Sequence, residues 1–337
     1  MSPSLQDRLC FLGISSKSFG RAAETAAKFG IPVDGSQIQR LVQPVGERAE
    51  AQAEQRVSAA FDPQKAKEVA DKAKAELRNE PFSMVIMLDG TMLRNRGADW
   101  GMKPASVAGE RVIWHELKAG LVICLPEVAA GKRPKVAKYY IADAGGPEAV
   151  GRKLYAEALR RGLNQAKRVY IVADGAAWIW RLAEEHFPGS VETLDFYHAT
   201  EHLWAVARVL FKDEEAARGW ATPLCGNLKH CGGEQLLPVL EKLLEASEKK
   251  LSAEQGQALN REVAYFRNHQ DRLDYPEAKR QGMPLGSGAM ESACSQIQNR
   301  FKCTGQFWSK PGERHLLALE LAWRNRDWNE LWTQGAA

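Results

Sequence analysis

Asp89 lies in MLDGT and Asp174 in IVADG, and in both an acid follows an apolar, strand-like run and precedes glycine. Acids at matching heights on adjacent strands put two carboxylates side by side, where they repel and one stays protonated. A divalent cation removes that conflict. Two Mg²⁺ ions about 4 Å apart activate an attacking oxygen and stabilise a leaving one in phosphoryl transfer, and Mg²⁺ takes carboxylate and water oxygens. The third carboxylate of such a shell is Glu291, in the first turns of a helix after the glycine-rich GSGAM. Ser295, Gln298 and Lys302 follow four, seven and eleven residues later and share its face. A metal-binding acid and a basic residue on one face suit a helix lying beside a DNA strand. One Asp-Gly after a strand is by itself a turn signal. The set of three in this element order points to a metal site.

The elements that must position these acids follow from the hydrophobic pattern. Residues 4 to about 50 read as three short helices, LQDRLCFLG, SFGRAAETAAKFG and SQIQRLVQPVGERA, the last following the turn IPVDG with Ser36 as its N-cap. Helix, glycine turn, helix is a helix-turn-helix pattern, which either reads DNA or merely packs as a hairpin. DPQKAKEVADKAKAELRNE, residues 62–80, is a charged linking helix. From Pro81 the pattern changes to strands: SMVIMLDGTML ending in its acid, RVIWHELKAGLVICLPE, KYYIADAGG, KRVYIVADGAAWIW and VETLDFY. Helices fall between the later ones, in PEAVGRKLYAEALRRG and RLAEEHF, and HATEHLWAVARVLF follows the last strand. Three strands in succession and then strand–helix alternation make an α/β class with a mixed five-stranded sheet, the element order of an RNase H-like fold. From 213 the strand signal disappears into EEAARGWATPL, GEQLLPVLEKLLEASEKK and SAEQGQALNREVAYFRNHQDRL, an all-helical insertion. SGAMESACSQIQNRFK, capped near Ser287, and a final amphipathic helix GERHLLALELAWRNRDWNELW complete the chain. The expected regions are 1–80, a helical DNA-binding and linker region; 81–212, the first part of the core; 213–280, the insertion; and 281–337, its completion.

The 337 residues carry a net charge of only +4, so bulk charge does not announce a nucleic-acid binder. Its distribution is more telling: Arg152, Lys153, Arg160, Arg161, Lys167 and Arg168 crowd one segment, and Arg300, Lys302, Lys310, Arg314, Arg324 and Arg326 another. Such faces hold a phosphate backbone or are simply solvated. The six cysteines form no CxxC pair, which excludes a zinc ribbon and a disulfide framework. No run approaches membrane-spanning length and the N-terminus lacks a signal-peptide pattern, so a cytoplasmic protein is expected.

MLDGT, VADGAAWIW, LDFYHATEHL and GSGAMESACSQIQNRFKCTGQFWS resemble the DDE transposases of bacterial insertion sequences, most closely the Kra-type group. The resemblance runs from about residue 4 to the end. It implies an RNase H-like core with Asp89, Asp174 and Glu291 as catalytic metal-binding triad, Mg²⁺ as cofactor with Mn²⁺ able to substitute, and double-stranded DNA, at transposon ends and target, as partner. It implies hydrolysis at the ends, then attack of the freed 3′-OH on target DNA, by a homodimer at the nucleoid. Longer members begin with a Cys-rich, zinc-ribbon-like segment that this sequence does not carry, so a shortened member, a fragment or a descendant with another use is expected. A shortened relative that binds DNA and regulates transposition, and an RNase H-like nuclease, are the competing functions.

Other residues join the expected site. Asp195 and His198 in LDFYH match a pattern of several DDE groups, and His198 is placed to contact or protonate the scissile phosphate; a purely structural Asp195–His198 hydrogen bond is the alternative. His198 and His202, four apart, also have zinc spacing, without a further nearby ligand. Arg300, Lys302, Trp308, Lys310 and Arg314 are expected to contact DNA, with Trp308 in polar GQFWSKPG a candidate for base stacking. Trp178 and Trp180 are either stacking or core residues, and Asp143 in IADAGG reads as a turn residue.

Overall fold

The computed structural model describes residues 1–77, 81–101, 111–127, 136–247 and 250–333. Four helices come first: α1 (Pro3–Ser15), α2 (Phe19–Lys28), α3 (Gly35–Ala60) and α4 (Pro63–Glu76). Strands β1 (Phe82–Arg96), β2 (Val112–Pro126) and β3 (Ala137–Asp143) follow, then α5 (Pro147–Arg160), β4 (Val169–Ala173), α6 (Ala177–His186), β5 (Val191–Leu194) and α7 (Phe196–Leu210). Next come α8 (Glu214–Cys231), α9 (Gly233–Ser247), α10 (Ala253–Asn268) and α11 (Tyr275–Arg280), and last α12 (Gly288–Phe301), α13 (Lys310–Arg324) and α14 (Glu330–Thr333). Residues 78–80 of the expected linking helix and 248–249 of the second insertion helix lie outside the described residues.

The fold is α/β, with one five-stranded mixed sheet of order β3-β2-β1-β4-β5. The β2–β3 pair is antiparallel, aligning Lys118 with Asp143, and the β4–β5 pair is parallel, aligning Ala173 with Leu194. Seven successive residues of β1, Phe82 to Leu88, are buried, as are Tyr170 to Ala173 of β4. A continuous buried run means both faces of the strand are covered, the signature of an interior strand. Each such aliphatic side chain contributes about 1.5–3 kcal/mol of transfer free energy.

The chain divides into two compact units: Met1–Met84, Leu88–Lys167 and Ala289–Ala337 form the first, Val85–Met87 and Arg168–Gly288 the second. The N-terminal helices are thus part of the same unit as β2, β3 and α13 and form no body of their own. The third helix is not short: α3 runs 26 residues through Pro44 because Ile38, Val42, Val45, Gly46, Ala49, Val57 and Ala60 give it one continuous buried face. That face meets α13 so closely that a Cβ on Gly46 would stand 2.4 Å from the His315 carbonyl oxygen. Its N-cap is Asp34, not Ser36: the Asp34 carboxylate accepts from Gln37 N while the Gln37 side chain accepts from Asp34 N, a capping box.

Four other sequence-based boundaries shift. β1 does not end at Asp89 but carries on to Arg96. AAWIW is not strand: β4 stops at Ala173 and α6 takes up Trp178 and Trp180, because Gly175, at φ 99°, turns the chain between them. β5 stops at Leu194, where Asp195 caps α7. The final helix breaks after Arg324, with Arg326 at φ 64° and buried Asp327 bonded to Arg56 and Arg160, so that α14 is separate. Over residues 213–280 the described residues hold helices and no strand.

Candidate active site

In the first unit, Asp89 sits half-buried inside β1, its Oδ1 accepting from Gly90 N at 2.6 Å. Gly90 is a close approach: a Cβ there would meet Glu116 Oε1 at 2.1 Å, so the Glu116 carboxyl lies against the bare backbone and pairs with Lys118. Glu291 is exposed in the first turn of α12, where the helix dipole favours an anion. One turn on, Cys294 is buried and hydrogen-bonds Asp89. Burial first, then the charge and hydrogen bond of Asp89, then Glu291, push its thiol up to about 12. Asp89 is thus bonded to a residue one turn along the helix that Glu291 opens. Farther along, Gln298 Nε2 donates to Thr91 Oγ1 at 2.5 Å, holding the helix to β1. Of the expected shared face, Glu291 and Ser295 are exposed, Gln298 and Lys302 are half-buried, and Gln298 is the one bonded to the sheet; the buried side of the helix is Ala293, Cys294, Ile297 and Arg300.

The donor set fits a hard cation. Asp89 and Glu291 supply carboxylate oxygens, the donors that a hard cation takes. Among the described residues no group of three or more His, Cys, Asp and Glu side chains is close enough to share a metal ion. Asp174 belongs to the second unit and is described there.

Asp174 directly follows β4, as its motif predicts. Its Oδ1 accepts from Ala176 N at 3.0 Å, and its backbone oxygen accepts from the Tyr265 hydroxyl at 2.8 Å. A Cβ at Gly175 would lie 2.9 Å from that hydroxyl and 3.0 Å from His269 Nε2, so the Asp174 turn is pressed onto α10 with no room for a side chain. Burial, then the nearby Asp174 charge, hold the Tyr265 phenol above its ordinary range. Burial, then the Arg272 charge, push His269 down to about 4.

Asp195 is 2% exposed and fully occupied. It accepts from Tyr197 N at 2.7 Å, His198 N at 3.2 Å, Ser287 N at 2.7 Å and the Ser287 hydroxyl. The expected Asp195–His198 bond exists, but to the backbone of His198 as a helix cap; the imidazole instead faces Glu201 at 3.4 Å. Ser287 adjoins the start of α12 and donates its hydroxyl to Asp195. His202 Nδ1 lies 2.5 Å from Glu262 and the ring stacks on Tyr265 at 3.6 Å, so the His198–His202 spacing reflects packing and not a zinc pair. Trp180 is buried, with the Arg272 guanidinium 4.5 Å from its ring.

The expected DNA contacts separate into two kinds. Arg300 is 4% exposed and is no phosphate contact: it donates to Gly13 O at 3.1 and 3.2 Å and Lys17 O at 3.4 Å, with its guanidinium over Phe19 and Trp308. Burying a cation costs several kcal/mol; the three carbonyl bonds and two rings offset it. Burial pushes Arg300 down to about 10, still charged at neutral pH. Trp308 donates its indole N–H to Phe301 O at 2.8 Å and its backbone pairs with β1. Lys302 is half-buried, Lys310 is exposed, and exposed Arg314 pairs with Glu50 at 2.9 Å. The other basic segment is largely spent internally: Arg160 and Arg161 bind Glu157 and Asp327, Lys153 binds Asp143, and Arg152 covers Phe61. Asp143 also accepts from Gly145 N, a turn contact.

Tyr265, Glu262 and His269 lie outside the motifs, and Cys294, inside GSGAMESACSQIQNRFKCTGQFWS, has no role that its residue type announces. No family model matches the chain, and no curated protein matches it.

Proposed function

We propose that the protein is a DDE transposase with an RNase H-like core, cutting and joining double-stranded DNA with Mg²⁺. The observation that carries this reading is the packing of α12, which Glu291 opens, against β1 beside Asp89: Gln298 donates to Thr91, and Cys294 hydrogen-bonds Asp89. Joint service as metal ligands would account for an acid in β1 and an acid opening α12 on elements that pack together.

In this reading Asp89, Asp174 and Glu291 would hold the cation, which would supply Lewis-acid polarisation of the phosphate and activation of the attacking water. Water attacks phosphorus, the P–O3′ bond breaks, and a 3′-OH and a 5′-phosphate result. The freed 3′-OH then attacks a phosphodiester of target DNA, with loss of that strand's own 3′ oxygen. His198, with its ring half-exposed at the start of α7, delivers a proton to the leaving oxygen. Tyr265 holds the Asp174 backbone, and the Ser287–Asp195 bonds hold the chain leading into α12. Lys302, Lys310 and Arg314 take the DNA backbone; Arg300 does not. The working form is a homodimer in the bacterial cytoplasm, at the nucleoid. No helix among the described residues is long and apolar enough to cross a membrane.

The test is incubation of the full chain with Mg²⁺, plasmid carrying the DNA that flanks its gene, and a second target plasmid. The proposal requires 3′-OH ends at the flanking repeats and their covalent joining to the target. Cleavage without joining identifies a nuclease, and salt-dependent binding without cleavage a regulatory binder.

A further inference from the structure

We propose that the surface around Trp114 binds single-stranded DNA, stacking an unpaired base on its ring and taking the adjoining phosphate on three cations. Trp114 in β2 is 51% exposed, and Trp100, just beyond β1, is 41% exposed. The Arg94 guanidinium lies 5.6 Å from the Trp114 ring and 5.0 Å from the Phe307 ring. The Lys302 ammonium is 5.7 Å from Trp114, and Arg96 is 5.3 Å from Trp100, whose ring centroid is 4.8 Å from that of Phe307. All of these residues belong to the first unit.

The cations are fixed without being neutralised. Arg94 donates to Cys303 O at 3.0 Å and Arg96 to Phe307 O at 3.1 Å, so their described partners are carbonyls and rings and not carboxylates. Three positive charges gathered over aromatic faces repel one another until an anion arrives. A cation–π contact at an exposed site contributes only about 0.5–1 kcal/mol, too little to be the reason for the cluster. A ligand with both a flat π face and a negative charge answers both features, and an unpaired nucleotide has both. Stacking on an aromatic side chain contributes about 1–3 kcal/mol per base and is indifferent to base identity. Duplex DNA hides its base faces inside the helix, so this patch discriminates for an opened strand. An acidic polypeptide would meet the charge and leave the rings bare. Trp180 is buried and Trp308 is half-buried with its indole N–H bonded to Phe301 O, whereas Trp114 and Trp100 are exposed and each has a cation over its ring.

The inference takes its substrate class from the DNA-acting reading, but its test involves no catalysis. Binding of the full chain to a fluorescein-labelled oligo-dT 20-mer and to a 20-base-pair duplex is measured by anisotropy in EDTA. Trp114→Ala should weaken oligo-dT binding at least about five-fold and leave duplex binding within about two-fold, while Trp114→Phe restores most of it. Arg96→Ala and Lys302→Ala should each lower the salt dependence of oligo-dT binding by about one unit of slope. A smaller effect of Trp114→Ala, equal loss of single strand and duplex, or competition by polyglutamate equal to that by oligo-dT would overturn it. Loss of strand joining with these results intact would count against the transposase reading alone.

Discussion

The hydroxyl of Tyr265 donates a 2.8 Å hydrogen bond to the backbone carbonyl of Asp174, 91 residues earlier in the chain. A residue of the helical insertion thereby fixes the turn that aims a proposed metal ligand. Tyr265→Phe removes one partly buried hydrogen bond, at a cost of about 1–2 kcal/mol. In strand cleavage it should raise the Mg²⁺ concentration giving half-maximal rate, with a smaller effect at saturating metal. A purely structural tyrosine would lower thermal stability and leave the metal dependence where it was.

Gly175 has a positive φ and three neighbours within 3.0 Å of the position a Cβ would occupy. Gly175→Ala carries a backbone cost of about 1–2 kcal/mol and a steric clash on top. Urea denaturation should show a loss of at least about 2 kcal/mol. A neutral result would mean that the turn relaxes away from Tyr265 and His269.

Two histidines give opposite pH dependences. His269 is neutral when folded and pushed down to about 4, so the unfolded chain binds its proton more readily. Its contribution is complete above the unfolded value near 6.5 and is lost as pH falls from there toward 4. His115, 3.0 Å from buried Glu313, is raised by that hydrogen bond, so its contribution is complete below the unfolded value and is lost as pH rises through the folded one. Replacing His269 with Gln should flatten the acid limb of a stability–pH curve. Replacing His115 with Gln should flatten the fall in stability as pH rises above the unfolded value.

Arg300→Ala should destabilise the fold by about 2–4 kcal/mol, since it strips donors from buried carbonyls and leaves a void beside Phe19 and Trp308. Thermal unfolding checks this. Duplex affinity per folded molecule should stay within about two-fold, because the guanidinium does not face solvent.

The elements that carry the candidate acids were legible where the local pattern is strong. The apolar run of β1 and the ADG turn after β4 set Asp89 and Asp174 in place, though β1 runs past Asp89 because its pairing continues where its hydrophobicity fades. The α6 start is ambiguous in sequence because Trp and Ile suit a strand as well as a buried helix, and only the Gly175 turn decides between them. The partners of the site were illegible. Tyr265 and Cys294 are ordinary residues of amphipathic helices until folding brings them to Asp174 and Asp89. Arg300 reads as a surface cation because its acceptor, the Gly13 carbonyl, lies 287 residues away.

The central claim is that Asp89 and Glu291 act as metal ligands. Its most direct test is Mg²⁺-dependent strand cleavage by Asp89→Asn and Glu291→Gln, each first shown to unfold at the wild-type temperature within a few degrees. Each should cut at least about 1,000-fold more slowly. Cleavage by either variant within about ten-fold of wild type would contradict the account.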